Sequence, residues 1–353
     1  MSTPFNRKIA LKRNPQGIPV KDDFELVTEA IPTIEDGEML LRTRWLTLDP
    51  YMRSGFMNDA ANIGKTMLGG TVSQVLDSRC AQWREGDLVV GYYGWQEYAK
   101  ARPDDVQWNN PDMPIQKWDR ELGPASTALG ILGMTGYTAY QGLLNVAQVA
   151  AGETVVVSAA SGAVGQVVGQ LAKIRGARAV GIAGGPQKCA YCVQELGFDA
   201  CVDYKAGNLA QDLALAAPNG VDIYFENVGG DVLEAVIPLL NKSARVPICG
   251  YIAHYNLTSD QQRPTPLQRL RDEGLNVLGK DGSEDGFSFF SFAQLSAKHP
   301  DAEEALIELS DWIKAGKLKY LESTTDGLDS CIDAFVGMLN GKNFGKTIVR
   351  IPL

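Results

Sequence analysis

The chain has 353 residues, 45% of them hydrophobic and 21% charged, with a formal net charge of −9 at pH 7. This length and balance fit a globular protein of two domains, and no uncharged apolar run is long enough to predict a membrane span. The acidic balance argues against non-specific binding to nucleic acid or to an anionic membrane, and with no secretory signal in view a cytoplasmic location is expected.

The first 125 residues or so hold short strand-like runs at 39–46, 67–76 and 87–93, broken by Gly and Pro and without a long amphipathic helix. That pattern predicts a β-rich domain. The run at 154–157 is apolar and β-branched, and a helical pattern follows at once, with Val164, Val167, Val168, Leu171 and Ile174 on one face. Strand, tight turn and helix make the first unit of a dinucleotide-binding fold. The turn reads A-x-G-x-x-G, Ala160 standing for the usual first glycine, with Gly162, Ala163, Val164 and Gly165 after it. At Gly162 and Gly165 a missing Cβ lets the backbone approach a pyrophosphate and lets helix pack on strand. The next strand, 177–183, ends about 20 residues beyond the turn, where an NAD site places an acid on the ribose 2′-hydroxyl. Here Gly184 and Gly185 stand instead, followed by Pro186, Gln187 and Lys188. No carboxylate repels a 2′-phosphate and Lys188 offers it a cation, so NADP(H) is the expected cofactor.

Strand patterns at 200–203, 221–226, 245–249 and 275–278 follow, with helical patterns at 187–196, 207–217 and 231–240. Together they predict a doubly wound parallel sheet of six strands. Amphipathic helices are expected at 301–315 and 328–339. The β-branched run 347–351 is expected to return to the first domain. The predicted architecture is therefore a nucleotide-binding domain, 128–315, inserted into a β-rich domain made of 1–127 and 316–353.

The two histidines and six cysteines form no zinc-site spacing, and the β-rich region holds one cysteine and no histidine, so no metal is expected. Cys189-Ala-Tyr-Cys192 matches C-x-x-C but falls in a helix outside any thioredoxin-like context, and ordinary packed or solvent-facing thiols are expected there.

Beyond the glycine turn, several landmarks run in order: LTLDPYMR (46–53), LGGTVSQVLDS (68–78), GWQEY (94–98), LGMTGYTAYQGL (132–143), IAGGPQKC, GFDACVDYK, VDIYFENVGG, CGYIAHYN and NFGKTIV. With them the chain resembles the zinc-independent medium-chain dehydrogenases/reductases, in the branch of prostaglandin, alkenal and curcumin reductases. The resemblance implies a Rossmann domain set in a GroES-like catalytic domain, a homodimer, and NADP(H)-dependent reduction of a carbon–carbon double bond conjugated to a carbonyl. The zinc-binding Gly-His-Glu of the wider superfamily would fall at Gly69-Gly70-Thr71. By motif, Lys188 and Tyr204 would hold the 2′-phosphate. Met134, Thr135, Asn227 and Asn343 would lie along the cofactor, and Tyr255 would approach the nicotinamide ribose and the substrate carbonyl. Where the family commonly has S-x-Y-N, this chain has Ala253-His254-Tyr255-Asn256.

Reduction of an enone places negative charge on the carbonyl oxygen, so a neutral phenol aimed there suffices without a metal. Tyr255 is the first candidate donor. Tyr51, after Asp49-Pro50, is the second, or a wall of the pocket. In an extended segment His254 would face away from Tyr255. Arg53 is a candidate for steering an acidic substrate or for pairing with a carboxylate, and His299 is expected at the surface. The alternatives are an NADPH:quinone reductase and a non-catalytic NADPH-binding structural protein.

Overall fold

The computed structural model describes residues 5–107, 110–274 and 300–352. They fall into two compact units, 5–133 with 322–352 and 134–274 with 301–321.

In the first unit, strands Glu322–Asp326, Lys346–Arg350, Met39–Thr47, Thr71–Ser78, Leu88–Gly91 and Gln116–Lys117 lie side by side, and Tyr98–Ala101 also pairs with Met39–Thr47. The C-terminal strand does return to this sheet: Ile348 sits opposite Thr47 in an antiparallel pair. Strands Phe5–Leu11 and Phe24–Ala30 pair separately; neither was expected from the sequence, because the second buries little beyond Phe24 and lacks a clean alternation. The expected run at 67–76 becomes a strand only from Thr71, since Gly69 and Gly70 pack flat against neighbouring side chains. The apolar centre is built on Trp95, whose ring stacks on Phe24 at 5.9 Å and meets the edge of Phe335 at 5.4 Å. Phe335 comes from helix Cys331–Leu339, which follows a 3-10 turn at Leu328–Ser330.

The second unit has a parallel sheet in the order Ala200–Asp203, Arg178–Ala183, Thr154–Ser158, Val221–Phe225, Leu240–Arg245. This is the doubly wound order in which a nucleotide sits at the carboxyl ends of the central strands. Thr154–Ser158 is buried throughout, as a strand covered on both faces must be. Two expectations need correction. The helix expected at 231–240 stops at Val236, because Pro238 has no N–H to continue it, and a 3-10 turn leads into the strand at Leu240. The strand expected at 245–249 is therefore displaced to 240–245, with only an isolated bridge from Ile248 to Glu226 beyond it. The expected strand 275–278 and His299 lie outside the described residues.

Helix Gly165–Ile174 lies on this sheet, and its buried Gln166 and Gln170 bond the backbone of Leu321 and Lys319. A Cβ on Gly169 would fall 1.8 Å from the Phe198 ring. Alanine favours a helix over glycine by about 1 kcal/mol. Overpacking costs about 1–3 kcal/mol. Gly169→Ala is thus expected to lower the midpoint of denaturant unfolding despite its better helix propensity; an unchanged or higher midpoint would mean the ring yields freely.

Candidate active site

At the glycine turn the left-handed residue is Ala159, with φ +50°. The strain sits one position before the alanine that replaces the usual glycine. Ala160 is fully buried, its N–H donates to the Ile182 carbonyl at 3.0 Å, and its methyl fills the space a Cβ on Gly181 would need. Of the turn candidates, Ala160 therefore presents backbone only. A Cβ on Gly165 would lie 2.3 Å from the Ala159 carbonyl oxygen, and one on Gly162 would lie 3.0 Å from the same atom. Bare glycine is what lets the helix start against the strand end. Ala163 and Val164 are half-buried, and Val164 caps the helix.

The second and third strand ends form a cationic corner. The Tyr204 ring lies over Gly184, where a Cβ would be 2.8 Å from the ring and 2.9 Å from its oxygen. Lys188, in the first turn of helix Pro186–Gln194, is half-buried, and its ammonium is pushed below the ordinary lysine range by burial and by neighbouring Lys205. The Lys205 ammonium lies 5.8 Å from the Tyr204 ring centre. The nearby carboxylate of Asp203 faces inward, accepting the N–H of Gly185 at 2.7 Å and of Lys205 at 2.9 Å. Lys205 was missed in the sequence; its signal was the second cation directly after Tyr204. Of the C-x-x-C pair, Cys192 is fully buried and Cys189 half-buried, so the pair packs, one of the two outcomes expected.

The other candidates of this unit lie on helix Met134–Tyr140, just after strand Val221–Phe225 and beyond strand Leu240–Arg245. Thr135, early in helix Met134–Tyr140, is buried, and its hydroxyl has no hydrogen-bond partner among the described residues. The Met134 carbonyl accepts from Thr138 at 2.7 Å. Asn227 donates from Nδ2 to the Ser158 carbonyl at 2.8 Å. Tyr255 closes a 3-10 turn, Ile252–His254, so the expected extended segment is corrected: its N–H bonds the Ile252 carbonyl. His254 and Tyr255 consequently do not alternate; their rings both meet Tyr251, at 5.4 and 5.6 Å. The Tyr255 oxygen accepts the Tyr251 N–H at 3.4 Å. Burial, helped by Arg263, pushes the His254 imidazole below its ordinary pKa, so it is neutral near pH 7.

In the first unit, Tyr51 opens a single helical turn, Tyr51–Ser54, and burial with nearby Tyr92 and Asp49 pushes its phenol well above the ordinary range. Asp49 is itself buried, paired with Lys346 and accepting from Thr47 at 2.7 Å. Arg53 is corrected from a steering residue: it is buried and donates to the carbonyls of Gly17 and Pro15 and to Asn58, clamping a loop. Asn343 bonds the Gly345 carbonyl at 3.0 Å. At the place where a zinc segment would fall, a Cβ on Gly69 would strike Trp95 at 2.9 Å, and Gly70 faces Thr47 and Tyr92. Among the described residues no group of three or more His, Cys, Asp or Glu side chains could hold a metal ion. No helix among them is long and apolar enough to cross a membrane.

Residues 7–108 match the model of an N-terminal domain of oxidoreductases, and residues 163–286 match a family described as zinc-binding dehydrogenase. NADPH-dependent curcumin reductase of Escherichia coli is 44% identical, over 98% of this chain and 97% of that protein. Prostaglandin reductase 1 of Mus musculus is 39% identical, over 96% and 97%. The chain belongs to the zinc-independent curcumin, alkenal and prostaglandin reductase family. The solved structure of CurA in complex with NADPH from Vibrio vulnificus superposes with a TM-score of 0.86 at 41% identity, over 98% of this chain and 99% of that one. The fold is accordingly a GroES-like β domain with a Rossmann domain. The residues of this reductase fit a phosphorylated dinucleotide on three structural counts. A side chain at Gly165 would strike the Ala159 backbone, the Asp203 carboxylate beside the Lys188–Lys205 corner is engaged by two backbone N–H groups, and the buried Thr135 hydroxyl has no hydrogen-bond partner among the described residues.

Proposed function

We propose that this reductase uses NADPH to reduce the carbon–carbon double bond of α,β-unsaturated ketones and aldehydes, by hydride addition at the β-carbon. Curcumin-like and 15-oxo-prostaglandin-like enones are the candidate substrate classes. What supports the cofactor most is the likeness to the solved NADPH complex of CurA, together with the corner where half-buried Lys188 sits near Lys205 and the Tyr204 ring lies over Gly184. In the proposal Lys188, Lys205 and Tyr204 bind that phosphate, and the backbone at Gly162–Gly165 receives the pyrophosphate. Met134, Thr135 and Asn227 line the remainder within the Rossmann unit.

Bound NADPH supplies the hydride. The protein must hold the substrate's carbonyl oxygen while charge develops on it, and a donor already fixed in place does so without reorganisation. Tyr255 is assigned that role, followed by delivery of a proton to the α-carbon directly or through water. Tyr51, whose phenol is made a weaker acid by its surroundings, remains neutral and serves as a wall or a hydrogen-bond donor.

Methyl vinyl ketone or trans-2-nonenal should oxidise NADPH and yield the saturated carbonyl compound. An allylic alcohol as sole product, or turnover of quinones alone, would replace this reading. Tyr255→Phe is expected to lower kcat about a hundredfold or more, with NADPH binding retained; full turnover in that variant would remove the phenol from the chemistry.

A further inference from the structure

We propose that Glu226 is a positioning residue, which sets both Asn227 and the turn carrying Tyr255 for the reaction. The inference rests on the NADPH reading above. Glu226 is fully buried at the end of strand Val221–Phe225. Three donors converge on its Oε1: the Ser158 hydroxyl at 3.0 Å, the Tyr224 hydroxyl at 3.0 Å and the Val228 N–H at 2.6 Å. A carboxyl oxygen offers two lone pairs, so three donors crowd this one atom and make it the hub of the local network. Burial raises this carboxyl's pKa and those donors oppose the rise.

Two of the three donors, Ser158 and Val228, lead to the site. The Ser158 oxygen also accepts the Asn227 N–H at 2.8 Å, while Asn227 Nδ2 grips the Ser158 carbonyl. The carboxyl group thus reaches the Asn227 backbone through the Ser158 hydroxyl, and Ser158 holds the Asn227 side chain through its own carbonyl. The Glu226 carbonyl accepts the N–H groups of Cys249 and Gly250, the Asn227 carbonyl accepts that of Ile252, and the Val228 carbonyl accepts that of Ala253. These are the bonds that seat the turn ending in Tyr255. A buried carboxyl is costly unless it is fully bonded, and the Glu226 Oε2 has no hydrogen-bond partner among the described residues. Its placement under two site residues gives that cost a purpose: the side chain orients groups it does not itself present to a ligand.

The test separates orientation from general support of the fold by using two probes. The compound 2′,5′-ADP reads the phosphate corner and, through its 5′-phosphate, the start of the glycine turn, whereas NADPH also reads the strand ends above Glu226. Glu226→Leu removes the acceptor and should weaken NADPH about tenfold. Its kcat with an enone should fall as well, while 2′,5′-ADP binds as in the parent. Glu226→Gln returns an acceptor oxygen and should restore most of both losses. Ser158→Ala, which removes only the bridge to Asn227, should show the same split and decides the matter if the leucine variant does not fold. Equal weakening of NADPH and 2′,5′-ADP, or parental NADPH binding and kcat in Glu226→Leu, would overturn the inference. A parent that fails to bind 2′,5′-ADP or to reduce enones would instead overturn the underlying cofactor or substrate reading.

Discussion

Lys188→Glu is expected to weaken NADPH binding about a hundredfold or more, and NADH binding only slightly. The substitution reverses a charge at a half-buried position beside Lys205, where screening is weaker than at the open surface. NADH presents no 2′-phosphate to this corner, so it should not register the reversal. Lys205→Ala should act in the same direction with a smaller loss. The lowered Lys188 pKa adds a pH signature. The ammonium is fully protonated below its depressed pKa and is lost as pH rises through it, so NADPH affinity should fall on the alkaline side earlier than an ordinary lysine would allow, with NADH affinity flat. Equal effects on the two cofactors would refute the placement of the phosphate. Titration of both by fluorescence across pH supplies the comparison.

Gly165→Ala is expected to be the most damaging small substitution in the Rossmann unit. Its Cβ would meet the Ala159 oxygen at 2.3 Å, the Ala160 Cα at 2.8 Å and the Ala159 carbonyl carbon at 2.9 Å. All three are backbone atoms of the strand end and turn, which cannot swing aside as a side chain can. The loss of stability should be about 3 kcal/mol or more, at the upper end of overpacking effects. Gly162→Ala meets only the Ala159 oxygen within 3.4 Å, at 3.0 Å, and should cost much less stability while still crowding a bound pyrophosphate. Denaturant unfolding of the two variants side by side checks the ranking; similar stabilities would mean the turn relaxes.

The difference between these glycines was not legible in the sequence. The A-x-G-x-x-G pattern marked the turn, and the doubly wound parallel sheet followed from strand and helix periodicity, though not its strand order. Which glycine faces backbone, and that Ala159 rather than Ala160 takes the left-handed conformation, depends on how the helix meets the strand. The 240–245 strand was misplaced because LNKSAR is polar and only partly buried, so it lacks the apolar run that marks the central strands. Lys188 stood out because an expected acid was missing. Lys205 did not, since only the proximity of two strand ends makes it a neighbour. His254 was misread for a local reason: a 3-10 turn rather than an extended segment brings it and Tyr255 to the same neighbouring ring. Glu226 read as part of a motif, but its three donors come from residues 2 and 68 positions away and are visible only in the fold.

The most direct measurement follows the hydride itself. NADPH carrying deuterium at the transferable position of the nicotinamide is incubated with the enzyme and a simple enone, and the product is examined by mass spectrometry and NMR. The account predicts a saturated ketone with one deuterium on the former β-carbon and none from solvent at that position. Deuterium on the carbonyl carbon of an allylic alcohol, or a saturated product with no label from the cofactor, would contradict it.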